Sequence, residues 1–243
     1  MYQNYIFDLY GTLIDIKTNE NSPYLWKKLA DFFSAAGAFY TNAALKKRYN
    51  ELCLSCKKSH PETYYDLDIT TVFATLYSEK GLDASQELIG MTASLFRILS
   101  RSRFALYDGV ISLFDQIHAK GGKVYLLSNA QASFTVPELK QCKIYDSFDG
   151  IVISSDVSYC KPDSRIMEQL LLTYHLDPAQ SIMIGNDRRS DICIAEKFHM
   201  DSLLLVTDPH IEELATKDPA KKISATFEIP DGDFTKIADI LFS

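Results

Sequence analysis

Five short apolar runs, each ending at a small or polar residue, constrain this chain more than any other feature. They are Tyr5–Phe7, Val124–Leu127, Ile151–Ser154, Ser181–Ile184 and Ser202–Val206. Each is continuously apolar rather than alternating, which is the pattern of a strand buried on both faces. Helical stretches such as Ser164–His175 and Asp191–Phe198 separate them. Strands and helices that alternate in this way form a parallel sheet covered by helices on both sides, so the fold class is α/β. The tail adds a last strand and helix in "ISATFEIP" and "DFTKIADILF".

Between the first strand and the others the texture is helical only, from about residue 22 to residue 100. Ser22-Pro23 has the form of a helix cap followed by proline at the first helical position, and Gly37 ends that helix. Leu25, Leu29, Phe32, Phe33 and Ala36 make its apolar face. Thr41 caps a second helix. Two more carry the faces Ile69, Val72, Phe73, Leu76, Tyr77 and Leu88, Met91, Leu95, Phe96, Leu99. Four helices with short connections predict a compact bundle, inserted into an α/β core. The expected division is a core of residues 1–16 and 101–243 and a helical unit of residues 17–100.

The composition narrows the function classes. A formal charge of −7 with no basic block argues against nucleic acid or an anionic membrane surface as a partner. No apolar run approaches membrane-spanning length, and no charged lead precedes a long apolar segment, so a cytoplasmic protein is expected. The five cysteines are scattered and odd in number, which fits reduced thiols. Cys53 and Cys56 form a C-x-x-C, but Leu45, Tyr49, Leu52 and Cys56 recur at helical spacing, so Cys56 belongs to a buried helix face rather than to a zinc or redox site. The five histidines are isolated and none has ligand spacing.

Ligands of an open parallel sheet bind at the carboxyl ends of its strands. The first strand here ends at Asp8, the second at Ser128-Asn129; the third leads to Lys161-Pro162, and the fourth ends at Gly185-Asn186-Asp187, with Asp191 one turn later. Each residue alone reads as a turn former, a helix cap or a solvated side chain. Together they match one chemistry. A carboxylate nucleophile needs its electrophile held in line. A phosphoryl group needs its charge neutralised by a divalent cation and a lysine, and its oxygens need hydroxyl and N–H donors. Asp8, the Tyr10 carbonyl and Asp187 or Asp191 suit Mg2+. Thr12 and Ser128 supply the hydroxyls, and Lys161 the positive charge.

Four segments carry a resemblance: "DLYGT" (Asp8–Thr12), "LLSNA" (Leu126–Ala130), Lys161 in "CKPDS" and "GNDRRSD" (Gly185–Asp191). They resemble the four motifs of the haloacid dehalogenase superfamily, along essentially the whole chain. The helical insertion resembles the type-1 cap of its subfamily I, which closes over the site and excludes water. The resemblance implies a Rossmann-like core, with Asp8 as nucleophile and Mg2+ ligand. It implies that Thr12, Ser128 and the Asn129 backbone bind phosphoryl oxygens, that Lys161 stabilises the nucleophile and the transferring group, and that Asp187 and Asp191 complete the metal site. In this family an acid commonly follows the glycine of the last motif; here that position is Asn186.

Tyr10 is the larger departure. The family's phosphatases normally have Asp there, which protonates the leaving oxygen and later activates water. Tyrosine ionises near pH 10, so it is a poor base. Three readings follow. The first is a Mg2+-dependent phosphatase of a small phosphorylated metabolite, slowed or altered by Tyr10. The second is a 2-haloacid dehalogenase, whose members carry a similar "DLYGT" and in which Asp8 displaces halide from carbon without a metal. The third is a non-catalytic binding protein. Dehalogenases use a cap arginine near the nucleophile, and between the first motif and residue 96 this chain has only Arg48. The paired acids of "GNDRRSD" suit a metal, so the phosphatase is favoured, with a small phosphate ester as substrate and a monomer or homodimer as its state.

Overall fold

The computed structural model describes residues 1–216 and 223–242; residues 217–222 and Ser243, which the expected core includes, lie outside the described residues. In chain order the elements are β1 (Asn4–Phe7), β2 (Ile14–Thr18), α1 (Pro23–Ala35), α2 (Asn42–Ser59), α3 (Ile69–Ser78), α4 (Gln86–Ser100), β3 (Arg101–Leu106), α5 (Val110–Ala119), β4 (Lys123–Ser128) and α6 (Ala132–Gln141). They continue with β5 (Gly150–Ile153), α7 (Ser154–Val157), α8 (Ser164–Tyr174), β6 (Ser181–Gly185), α9 (Cys193–Lys197), β7 (Asp201–Leu205), α10 (Pro209–Thr216), β8 (Phe227–Ile229) and α11 (Ile237–Phe242).

Six strands form one parallel sheet in the order β5-β4-β1-β6-β7-β8. Successive side chains of a strand point to opposite faces, and both faces here are covered. Tyr5 and Phe7 pack on one side against Phe114 and Ile117 of α5. Ile6 packs on the other against Ile166 and Met167 of α8. This arrangement is the Rossmann-like α/β core. The chain leaves β1 to β4 on one side and β6 on the other, so the switch of direction lies at β1, and the crevice above its carboxyl end is the expected ligand position. Among the described residues no helix is long and apolar enough to cross a membrane.

A ribbon not visible in the apolar pattern carries the chain out of the core and back. β2 and β3 pair antiparallel, Ile14 opposite Leu106 and Ile16 opposite Phe104. Asp15 lies on β2 and pairs with Arg103 at 2.5 Å. Beyond the ribbon, helices α1–α4 build a core of their own around Phe33, Tyr49, Phe73 and Phe96, and Phe134 of α6 inserts into it. On α2, Leu45 and Tyr49 are buried, whereas Cys56 and Cys53 are half-buried, with Cys56 Sγ 3.7 Å from the Tyr65 hydroxyl.

The buried face of α4 differs from the expected one. Ile89, Thr92, Ala93, Phe96, Arg97 and Ser100 face inward, while Met91 is exposed. Two polar side chains explain the rotation, because each has a partner inside. The Thr92 hydroxyl lies 2.8 Å from the Tyr77 hydroxyl and donates to the Leu88 carbonyl. Arg97 meets a carboxylate of α6. A buried polar group with a partner costs little, and its apolar neighbours follow it inward.

Candidate active site

Asp8 lies one residue beyond β1, between the ends of β4 and β6. Lys161, from the loop between α7 and α8, is its closest charged partner. Its ammonium lies 2.7 Å from Asp8 Oδ1, 2.9 Å from Asp191 Oδ1 and 2.5 Å from the Leu127 carbonyl. Asn129 holds the lysine's backbone in place: its amide donates to the Lys161 carbonyl and accepts from the Lys161 N–H. Thr12 donates to Asp8 Oδ2 at 3.2 Å and lies 3.4 Å from Asn186 Oδ1. Ser128 ends β4, is 1% exposed, and its hydroxyl has no partner.

Burial raises the Asp8 carboxyl above the ordinary carboxylate range; Lys161 pulls it down and Asp191 pushes it further up. Burial alone would lower the Lys161 ammonium, but Asp191 and Asp8 together hold it above its ordinary value. Two carboxylates against one ammonium leave the cluster with a net charge of −1.

The last motif splits its two acids. Asp191 is buried, and its Oδ2 accepts the backbone N–H of Asn186 and of Asp187, each at 3.0 Å. A Cβ on Gly185 would collide with that carboxylate, so the turn needs glycine. Asp187 is not brought to the cluster. It caps the following turn through the Arg189 N–H and pairs with the Arg189 guanidinium at 2.9 Å. Its place beside Asp8 belongs to Asn186, whose side chain is pressed against Gly11, a residue at φ +85°. The neighbouring Arg188 pairs with Glu212 and Glu228, so both arginines of the motif are ion-paired.

These residues fit Mg2+ in a restricted way. Among the described residues no three His, Cys, Asp or Glu side chains converge on one point. Asp8 Oδ2 and Asn186 Oδ1 both lie within 3.4 Å of the Thr12 hydroxyl, however, so two hard oxygen donors share one neighbourhood. Mg2+ is commonly held by one or two carboxylates and keeps several waters. The set therefore fits, with one carboxylate and one amide as side-chain donors.

Tyr10 turns its hydroxyl away, toward α6. It donates to Glu138 Oε2 at 2.5 Å and lies 3.1 Å from the Thr135 hydroxyl. Burial pushes its phenol well above the ordinary value, and Glu138 adds to this. The Arg97 guanidinium sits 4.7 Å from the centre of the Tyr10 ring and 4.8 Å from that of Phe134. It also binds Glu138 side-on, Nε at 2.9 Å from Oε1 and Nη2 at 3.3 Å from Oε2, and Arg101 adds a third bond at 3.1 Å. This buried cluster joins the helical unit to the core. Sequence reasoning missed it, although Arg97 lies four residues after Ala93 and eight after Ile89, a charge in register with an apolar stripe.

A second junction lies beside Ser128. Gln131, just past the second motif, donates to the Leu67 carbonyl and accepts the Ile69 N–H, both at 2.7 Å. Asp66 accepts the Ser154 hydroxyl at 2.6 Å. Gln131→Ala removes the hydrogen bonds to Leu67 and Ile69, at about 0.5–1.5 kcal/mol each, together with longer contacts to Asp66 at 3.4 Å. Unfolding in urea is expected to show a loss of about 1–3 kcal/mol. No change would mean that the helical unit docks without this side chain.

Comparison with known proteins agrees with the geometry. The family model of haloacid dehalogenase-like hydrolases matches residues 2–198. The glyceraldehyde 3-phosphate phosphatase of Methanothermobacter thermautotrophicus is 25% identical over 241 residues, covering 99% of this chain and 100% of that protein. Among solved structures, the 2-haloacid dehalogenase of Pseudomonas syringae matches with a TM-score of 0.62 at 16% identity, over 99% of this chain and 98% of that one. The hydrolase YfnB of Bacillus subtilis, bound to magnesium, matches with a TM-score of 0.56 at 20% identity over the same shares. These two structural likenesses speak for the fold alone.

Proposed function

Because this chain belongs to the haloacid dehalogenase-like hydrolases, we propose that it is a Mg2+-dependent phosphatase, acting on a small phosphorylated metabolite through an aspartyl-phosphate on Asp8. The observation that carries this reading is the Ser128 hydroxyl, buried at the end of β4 next to Asp8 with no partner of its own. A buried polar atom left alone costs about 1–3 kcal/mol, so a partner is expected there, water or a ligand oxygen. A phosphoryl oxygen is the ligand this hydroxyl fits. The full-length likeness to a sugar-phosphate phosphatase supports the same side of the family.

Lys161 keeps Asp8 ionised and aimed, while Asn129 keeps Lys161 in reach. An Asp8 oxygen bonds to phosphorus as the bond to the leaving oxygen breaks, and that oxygen takes the electron pair. Water then attacks phosphorus, phosphate departs, and the Asp8 carboxylate is restored. Thr12 and Ser128 donate to the equatorial oxygens as their charge builds. A dianionic ester cannot settle in a cluster of charge −1 unaided. Mg2+, held by Asp8, Asn186 and the Tyr10 carbonyl, supplies the missing positive charge when bound.

Release of phosphate from p-nitrophenyl phosphate tests the reading. It is expected to require Mg2+ and to stop with a chelator; metal-independent release would reject it. Asn186→Asp adds a second carboxylate at the metal, and is expected to lower the half-saturating Mg2+ concentration by about tenfold. An unchanged value would remove Asn186 from the metal site.

Arg97 gives dehalogenation its one specific support, since it is an arginine of the helical unit stacked over Tyr10, two residues from the nucleophile. Its side-on pairing with Glu138 is the reason we place this reading second, because a guanidinium so held is not shaped for a carboxylate substrate. Chloride release from 2-chloropropionate without metal would select it.

A further inference from the structure

We infer, resting on the phosphatase reading, that the substrate is an acyl phosphate, a mixed anhydride whose leaving carboxylate departs without a proton, rather than an ester of an alcohol. The observations concern where each proton near Asp8 already goes. The single phenolic proton of Tyr10 is donated to Glu138 Oε2. Handing it to a leaving oxygen would strip a carboxylate that two arginines hold in place. It would also move a ring pinned beneath Arg97.

The polar groups hydrogen-bonded around Asp8 are equally committed; the acid outside that set is Glu20, whose carboxyl burial raises and Arg97 lowers. A lysine ammonium has three N–H donors, and those of Lys161 face Asp8, Asp191 and the Leu127 carbonyl. The carboxylate of Asp191 accepts from two backbone N–H groups and the lysine, that of Asp187 from Arg189, and that of Asp66 from the Ser154 hydroxyl. Each is held as an acceptor by the groups around it. Among the described residues no histidine hydrogen-bonds to any of these side chains; His118, for example, pairs with Asp149.

When Asp8 bonds to phosphorus, the electron pair of the broken P–O bond goes to the departing oxygen. An alcohol oxygen needs a proton at that moment. A carboxylate, with an ordinary pKa of about 4, does not. A general acid ordinarily supplies about 10²–10⁴-fold, which this site leaves unspent on esters. The same lack of a base slows water attack on the aspartyl-phosphate, so turnover of good substrates is limited by that shared second step. The leaving-group preference is therefore read in kcat/KM rather than in kcat.

The test compares kcat/KM for acetyl phosphate, phenyl phosphate and glycerol 1-phosphate with Mg2+ present. The value is expected to fall along the series, phenyl phosphate lying at least ~10²-fold below acetyl phosphate. Tyr10→Asp, which restores an acid, is expected to narrow that gap by at least ~10-fold. Should the variant fail to fold, the wild-type series alone decides. Comparable values across the three substrates would overturn the inference, whether the proton came from Tyr10 or from Glu20 at the start of the helical unit. Should none release phosphate, and intact mass show no phosphoryl group on the protein after acetyl phosphate, the phosphatase reading itself falls.

Discussion

Asp8→Asn is expected to abolish phosphate release while the protein folds as before. The amide keeps the shape of the carboxylate but is a far weaker nucleophile, and loss of a covalent nucleophile costs at least ~10⁴-fold. Stability moves the other way. The Asp8 carboxyl titrates higher in the folded chain than in the unfolded one, mainly because it is buried. For an acid, that sign means the ionised form is disfavoured by folding, so above the folded pKa the charge lowers stability. Near neutral pH the neutral amide is therefore expected to melt at the same temperature as the wild type or higher. Full activity in Asp8→Asn would remove the mechanism. Loss of activity together with a collapsed melt would show that the variant had unfolded instead.

Glu138→Gln is expected to produce the largest loss of stability. Glu138 is 3% exposed and takes hydrogen bonds from Arg97, Arg101 and Tyr10. Without its charge, two guanidinium groups face one another across a junction that water barely reaches. Removing one partner of a buried ion pair costs about 3–5 kcal/mol. Urea unfolding measures that loss, and amide hydrogen exchange is expected to quicken in the last turn of α4, where Arg97 sits. A shift below about 1 kcal/mol, as at exposed pairs, would mean that the arginines find solvent and that the cluster does not tie the helical unit to the core.

Much of this protein was legible from residue order alone. The continuous apolar runs determined a parallel sheet buried on both faces, and Asp8, Ser128 and Asn186 lie at the strand ends where a sheet of this kind places its ligands. Local patterns suffice there because strand burial and strand-end chemistry are properties of a few consecutive residues. The tertiary structure decided what depended on partners far along the chain. It turned α4 so that Arg97 entered the interior and Met91 faced water. It aimed the Tyr10 hydroxyl at Glu138, 128 residues away. It also set Asn186 beside Asp8 and turned Asp187 to Arg189. Apolar periodicity reports only side chains that avoid water. A polar side chain goes inward when a complementary charge or hydroxyl meets it there, and nothing in its own segment records that meeting.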